Sequence, residues 1–231
     1  MPGTGTPGGG VTVTRSTLRQ QIADALRDEA LAGRLSPGQE FTVKEIAEQY
    51  GVSATPVREA LVDLAGQGLL DSDQHRGFRV HEFTVADYRN MIEARSFIAE
   101  GIFRRCAEDG MRPPRDPRVM VSVRRRAAEA ERAATAGDLN VLVGYDIRFW
   151  REVGALVDNS YVSDFLHRIR VHCWVFAVPY LRREPDLRGR LWAGHGALAD
   201  AIAQCDGETA RAVVAEHNRH ARRLVDDLAG E

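Results

Sequence analysis

The sequence predicts a mainly α protein in two parts, an N-terminal winged helix-turn-helix and a C-terminal all-helical bundle. Three observations carry this expectation. Short helical patterns separated by glycine and proline, then a hairpin pattern, fill residues 14–81. Longer helical periodicities fill residues 82–231, and no strand-like alternation of useful length follows residue 81.

The first helix is marked by Leu18, Ile22, Ala25 and Leu26 at helical spacing, with Gly33 as its stop and the turn Leu35-Ser36-Pro37-Gly38 after it. Thr42-Val43-Lys44-Glu45 has the T-x-x-E form of a capping box, in which hydroxyl and carboxylate each satisfy a free backbone N–H; it opens a helix ending near Tyr50. Gly51 breaks that helix. Ser53 is placed to cap the next, Pro56 falls in its first turn where a missing N–H costs little, and Val57, Leu61 and Leu64 form its buried stripe. Leu69-Leu70, the polar run Asp71–Arg76 and Gly77-Phe78-Arg79-Val80 then read as two short strands around a tight loop.

A long helix is expected over 84–109, before the breaker at Pro113-Pro114. Four further helical stretches follow, over about 117–136, 138–157, 160–178 and 186–229, the last broken near Asp206-Gly207. Residues 1–13, rich in Gly, Pro and Thr, are expected to be a flexible tail.

Composition excludes several classes. With 44% hydrophobic and 28% charged residues over 231 positions, there is material for a real core, so wholesale disorder is excluded. A net charge of −2 leaves no bulk attraction for polyanions, and any nucleic-acid face must be local. Cys106, Cys173 and Cys205 are odd in number and widely spaced, which fits a reducing cytosol rather than a disulfide framework. The apolar stretch Val171–Tyr180 is too short for a membrane helix, and the N-terminus lacks the cationic and apolar regions of a signal peptide. A cytoplasmic protein without membrane contact is therefore expected.

The segment Gly51-Val52-Ser53-Ala54-Thr55-Pro56-Val57-Arg58-Glu59-Ala60-Leu61, followed by Leu64 and Gly68-Leu69, closely resembles the helix-turn-helix signature of the GntR family of bacterial transcription regulators. Gly33-Arg34-Leu35-Ser36-Pro37-Gly38 and Gly77-Phe78-Arg79-Val80 fit that family's pattern in the right order, so the likeness covers residues 14–80. The bundle, with Gly137-Asp138-Leu139, Asp146-Ile147-Arg148-Phe149, His195 and His217, resembles the FadR-type subgroup and its FCD effector-binding domain.

The resemblance implies a homodimer that reads a near-palindromic operator. Ser53 and Thr55 are hydroxyl donors for phosphate oxygens at a helix start, and Arg58, three residues beyond Thr55, can fork onto guanine O6 and N7. The alternative for Arg58 is a solvated surface residue paired with Asp63 or Glu59. Lys44 falls where the family commonly carries a basic residue contacting DNA, and His75, Arg76 and Gly77 form the wing tip that would meet the minor groove. Ala54 stands where the family usually has an arginine, so it offers only a methyl group. Residues 1–80 hold 8 basic and 10 acidic side chains, so one head alone should bind DNA weakly.

In metal-binding members of the subgroup, an Asp and a His one turn apart and two later His hold a divalent ion that in turn holds the effector's carboxylate. Asp146, His195 and His217 fit three of these positions, and Trp150 replaces the usual fourth ligand; an indole cannot ligate a metal. Two outcomes stay open: a three-ligand site for Zn, Ni or Mn, or a cavity from which the indole has displaced the metal. In the second, a small carboxylate effector would meet Arg95, His195, His217 and the face of Trp150. The bulk of the indole favours the second. Two further readings are a metal-dependent enzyme with Glu216 as base, and a ligand-independent DNA-binding protein whose bundle only dimerises.

Overall fold

The computed structural model describes residues 17–73, 76–111, 114 and 116–229. The chain runs α1 (Leu18–Leu31), β1 (Glu40–Phe41), α2 (Val43–Tyr50), α3 (Ala54–Gly66), β2 (Leu70–Asp73), β3 (Gly77–Val80), α4 (Val85–Asp109), α5 (Arg118–Ala136), α6 (Leu139–Ala155), α7 (Ser160–Leu181), α8 (His195–Ala203) and α9 (Gly207–Ala229). The expected tail, 1–13, lies outside the described residues.

In the head, α1 and α2 pack on α3, whose stripe Val57, Ala60, Leu61 and Leu64 is buried. The Thr42 and Glu45 capping box forms in full, and Gly51 closes α2 in the left-handed conformation. The hairpin is joined by a strand the sequence did not announce. β1 pairs antiparallel with β3, Glu40 opposite Arg79 and Phe41 opposite Phe78, giving the sheet order β1-β3-β2. Two residues are too few for alternation to register. Gly77 opens β3 at φ 97°, and a Cβ there would lie 2.7 Å from the Phe41 carbonyl oxygen, so the strand contact itself requires glycine.

In the bundle, α4 lies against α7 and α9, α5 against α6 and α8, and α6 against α7. One apolar cluster runs from Ile22 and Leu61 in the head through Tyr88 and Ile92 to Val178 and Val225. A second, around Val123, Phe149 and Leu198, fills the far end. Two helix limits differ from expectation. α7 continues through Pro179 to Leu181, because a proline in the last turn removes one hydrogen bond while Leu181 remains fully buried. The stretch expected to be helical from 186 becomes so only at His195; Gly189 at φ 73° interrupts it, and Leu187 and Leu191 are buried as anchors of an irregular segment. The expected break does occur, between α8 and α9.

Candidate functional site

Two groups of polar residues stand out. The first is on the head. Ser53, Ala54, Thr55 and Arg58 are all exposed at the start of α3. Ser53 holds the N-cap position but makes no side-chain cap bond, contrary to its expected capping role; the hydroxyl is left to other partners. Lys44 is exposed on α2, 3.8 Å from Glu48. Lys44, Ala54 and Arg58 line one open groove of about 450 Å³ between α2 and α3. Asp63, the alternative partner for Arg58, is paired with Arg19 at 3.3 Å.

In the wing, Arg76 is exposed, with its backbone N–H donating to Asp73 at 3.2 Å and its guanidinium 3.9 Å from Glu40. His75 lies outside the described residues. Gly77 is at the start of a strand, against Phe41, rather than at the tip.

The second group is buried in the bundle around Asp146 on α6, which is 2% exposed. Its Oδ1 accepts from the Trp150 indole and from His195 Nε2, each at 3.0 Å. Its Oδ2 accepts from the Arg170 guanidinium at 3.1 Å and the Trp174 indole at 2.7 Å. Arg170 also lies over the Trp150 ring, 4.2 Å from its centroid. Burial alone would push the Asp146 carboxyl up; Arg170 and the bonds from His195 and Trp174 outweigh it and hold the carboxyl well below the usual range. Burial brings Arg170 down to about 10, against the opposing pull of Asp146, so both carry their charges at neutral pH.

This answers the metal question for these residues. A resident divalent ion would need a free carboxylate oxygen, and here four N–H donors, one of them cationic, already engage both oxygens. Among the described residues no three His, Cys, Asp or Glu side chains converge as ligands. Asp146 and His195 meet, but His217 stands apart, its ring 4.9 Å from the Trp150 ring and 4.5 Å from that of Trp192. The residues do not fit the metal that the resemblance implied.

Beside the cluster is a cavity of about 60 Å³, lined by Tyr88, Arg95, Asp146, Arg170, Trp174, Trp192, His195, His217 and apolar side chains including Leu142 and Leu181. Arg95 on α4 is 5% exposed; its Nε donates to Asn218 at 2.9 Å, while Nη2 has no partner among the described residues. Nδ1 of His195 and Nδ1 of His217 are likewise buried without partners among the described residues. Burial, then the nearby Arg95 and Arg170 charges, depress His217 well below its ordinary pKa, so its ring is neutral.

Trp150 was expected as the cavity wall, but Trp192 lines the space instead, because Trp150 is turned to Asp146 and covered by Arg170. Arg170, Trp174 and Asn218 were not anticipated. Arg170 and Trp174 are four apart in an apolar helix, a spacing that puts both on one face. Glu216, the base of the enzyme alternative, is half-exposed, pairs with Arg219 and Arg223, and is not part of the cavity lining.

No helix among the described residues is long and apolar enough to cross a membrane. Residues 18–80 match the family described as bacterial regulatory proteins, gntR family, and residues 90–220 match the FCD domain. Over 148 residues the chain is 34% identical to the probable D-xylose utilization operon transcriptional repressor of Paenarthrobacter nicotinovorans, covering 64% of this chain and 63% of that one. It is 34% identical over 90 residues to the HTH-type transcriptional repressor RspR of Escherichia coli K12, covering 39% of this chain and 40% of the relative. The matches thus span less than two thirds of either relative's length.

The fold is like that of E. coli McbR/YncC, with a TM-score of 0.73 and 21% identity over 94% of this chain and 99% of the other. A regulator from Rhodococcus sp. RHA1 gives 0.66 and 20% over 90% and 96%. The named relatives are transcriptional regulators and not enzymes. With the two domains matched in this order, the second over more than half of its length, the chain belongs to the GntR family of bacterial regulators and carries an FCD domain.

Proposed function

We propose that this chain is a cytoplasmic, homodimeric DNA-binding transcriptional repressor. Its heads read a near-palindromic operator through Lys44, Ser53, Ala54, Thr55 and Arg58, with the wing residues His75 and Arg76 at the minor groove. Its bundle takes a small carboxylic acid in the cavity beside Arg95, His195 and His217, and the acid weakens operator binding. Trp150 acts behind the cavity, holding Asp146 and Arg170 in place.

The observation that carries this reading is the two-sidedness of α7. Arg170 and Trp174 face Asp146 from one side of this helix. His172, from the same segment, bonds the Gln67 carbonyl oxygen at 2.8 Å. Gln67 is the C-cap of α3, the helix that carries Arg58. Phe83, just before α4, stacks on His172 at 4.8 Å. A ligand that shifts α7 therefore pulls on the end of the recognition helix, and it changes operator affinity to the extent that it prefers one arrangement of the heads.

The test uses the purified full chain and duplexes selected from a random pool. Enrichment of a two-fold symmetric sequence is expected, with binding that weakens steeply with salt. A His172→Ala variant should keep operator binding while losing much of its response to the acid. Absence of any enriched sequence would overturn the regulator reading.

A further inference from the structure

The buried cluster holds two fixed positive charges and one negative charge. Arg170 is engaged by Asp146 at 3.1 Å. Arg95 is equally buried, yet among the described residues its only bonded partner is the neutral amide of Asn218, and Nη2 is unpartnered at the cavity. A cation taken out of water without a counter-charge is strongly unfavourable, and a divalent ion added here would worsen the imbalance while displacing the donors on Asp146.

We propose that Arg170 occupies the role of the metal toward Asp146, and that the cavity is a metal-independent receptor for one small monocarboxylate held by Arg95. This deepens the reading given above and rests on the bundle being a ligand site. Among the three charged side chains Asp146, Arg170 and Arg95, one monoanion brings the sum to zero, whereas a dicarboxylate would leave a negative excess. A guanidinium presents parallel N–H bonds that suit a carboxylate, and the unpartnered Nη2 is the edge available for them. The size agrees. A volume of about 60 Å³ holds a handful of waters at roughly 15 Å³ each, which suits an acid of few non-hydrogen atoms with a short tail against Leu142 and Leu181.

The experiment is a thermal-shift series on the full chain after dialysis against EDTA. The probes are formate, acetate, propionate, lactate and malonate, each with and without added ZnCl2, NiCl2 or MnCl2, and each metal alone. At a hundredfold excess over its Kd, at least one monocarboxylate should raise Tm by about 5–10 °C, equally with and without metal. Metal alone should shift nothing, and malonate should shift less than propionate. Arg95→Met should lose the response; Arg95→Lys, which keeps the charge, should weaken binding at least tenfold and serves where Met unfolds the chain.

A shift by metal alone, a carboxylate response that requires metal, a malonate response above that of propionate, or an undiminished response in either Arg95 variant would overturn the proposal and leave the ligand-site reading standing. No response to any acid, with or without metal, would overturn both while leaving operator binding as a separate result.

Discussion

The head and the bundle each gather polar side chains, but in opposite physical states. Lys44 and Arg58 line one groove, Thr55 is exposed on the same helix as Arg58, and their hydrogen-bonding capacity is largely left to water. Asp146, Arg170 and His195 are at most 5% exposed, and both Arg170 and His195 bond the Asp146 carboxylate. The difference teaches how each can be altered: the exposed set is separable from folding, whereas the buried set holds the helices in register and cannot lose a member without structural cost.

The largest expected effect tests the buried side. Asp146→Ala leaves Arg170 without a counter-charge and four donors without an acceptor, and should cost about 3–5 kcal/mol of folding stability in denaturant titration. A loss below about 1 kcal/mol would mean that the cluster does not hold the bundle together.

Next comes the exposed side. Arg58→Ala should leave stability within about ±0.5 kcal/mol but cost about 1–3 kcal/mol of operator binding per head, incurred twice in a dimer. Unchanged affinity at the same salt would remove the base contact; a large loss of stability would remove the contrast itself.

The most gradual effect, spread over a pH range and shared with other groups, sits between the two regions. Burial lowers His172 to about 4 in the folded chain, against an ordinary value near 6.5. The unfolded chain therefore binds its proton first as pH falls, so this residue's contribution is present above about 6.5 and lost progressively toward 4. Stability measured by denaturant should fall over that window, with His167, also lowered to about 4 by burial, and the lowered His217 and His220 contributing to the same slope; His172→Gln should make the slope shallower without abolishing it. An unchanged slope would show that His172 is not the group that titrates.

Legibility in the sequence followed the same division. The start of α3 could be read because its determinants, Gly51 through Leu61, are neighbours on one helix and spacing alone sets which face they share. The capping box at Thr42 was legible for the same reason. The bundle cluster was read only in part. That Trp150 shares a face with Asp146 followed from their separation by four, but the Arg170 that covers its ring and binds the same carboxylate is 24 positions away from Asp146 on another helix. Arg170 and Trp174 are embedded in an apolar stretch that reads as plain core. β1 was missed because its partner, β3, is nearly forty residues on, and the late start of α8 because Gly189 acts through a backbone angle that periodicity does not record.

β1 is only two residues long, yet it ties the wing to Thr42, the residue that caps α2. Gln39 accepts from the Val80 N–H at 3.0 Å and Val80 accepts from Gly38 at 2.9 Å, extending the seam beyond the strand. Wing, Lys44 helix and recognition helix are thereby cast as one die. In a dimer such a die can be moved closer to or farther from its twin, but its relief stays the same. The half-site sequence each head prefers should then be identical in every ligand state, and only the tolerated spacing between half-sites should change.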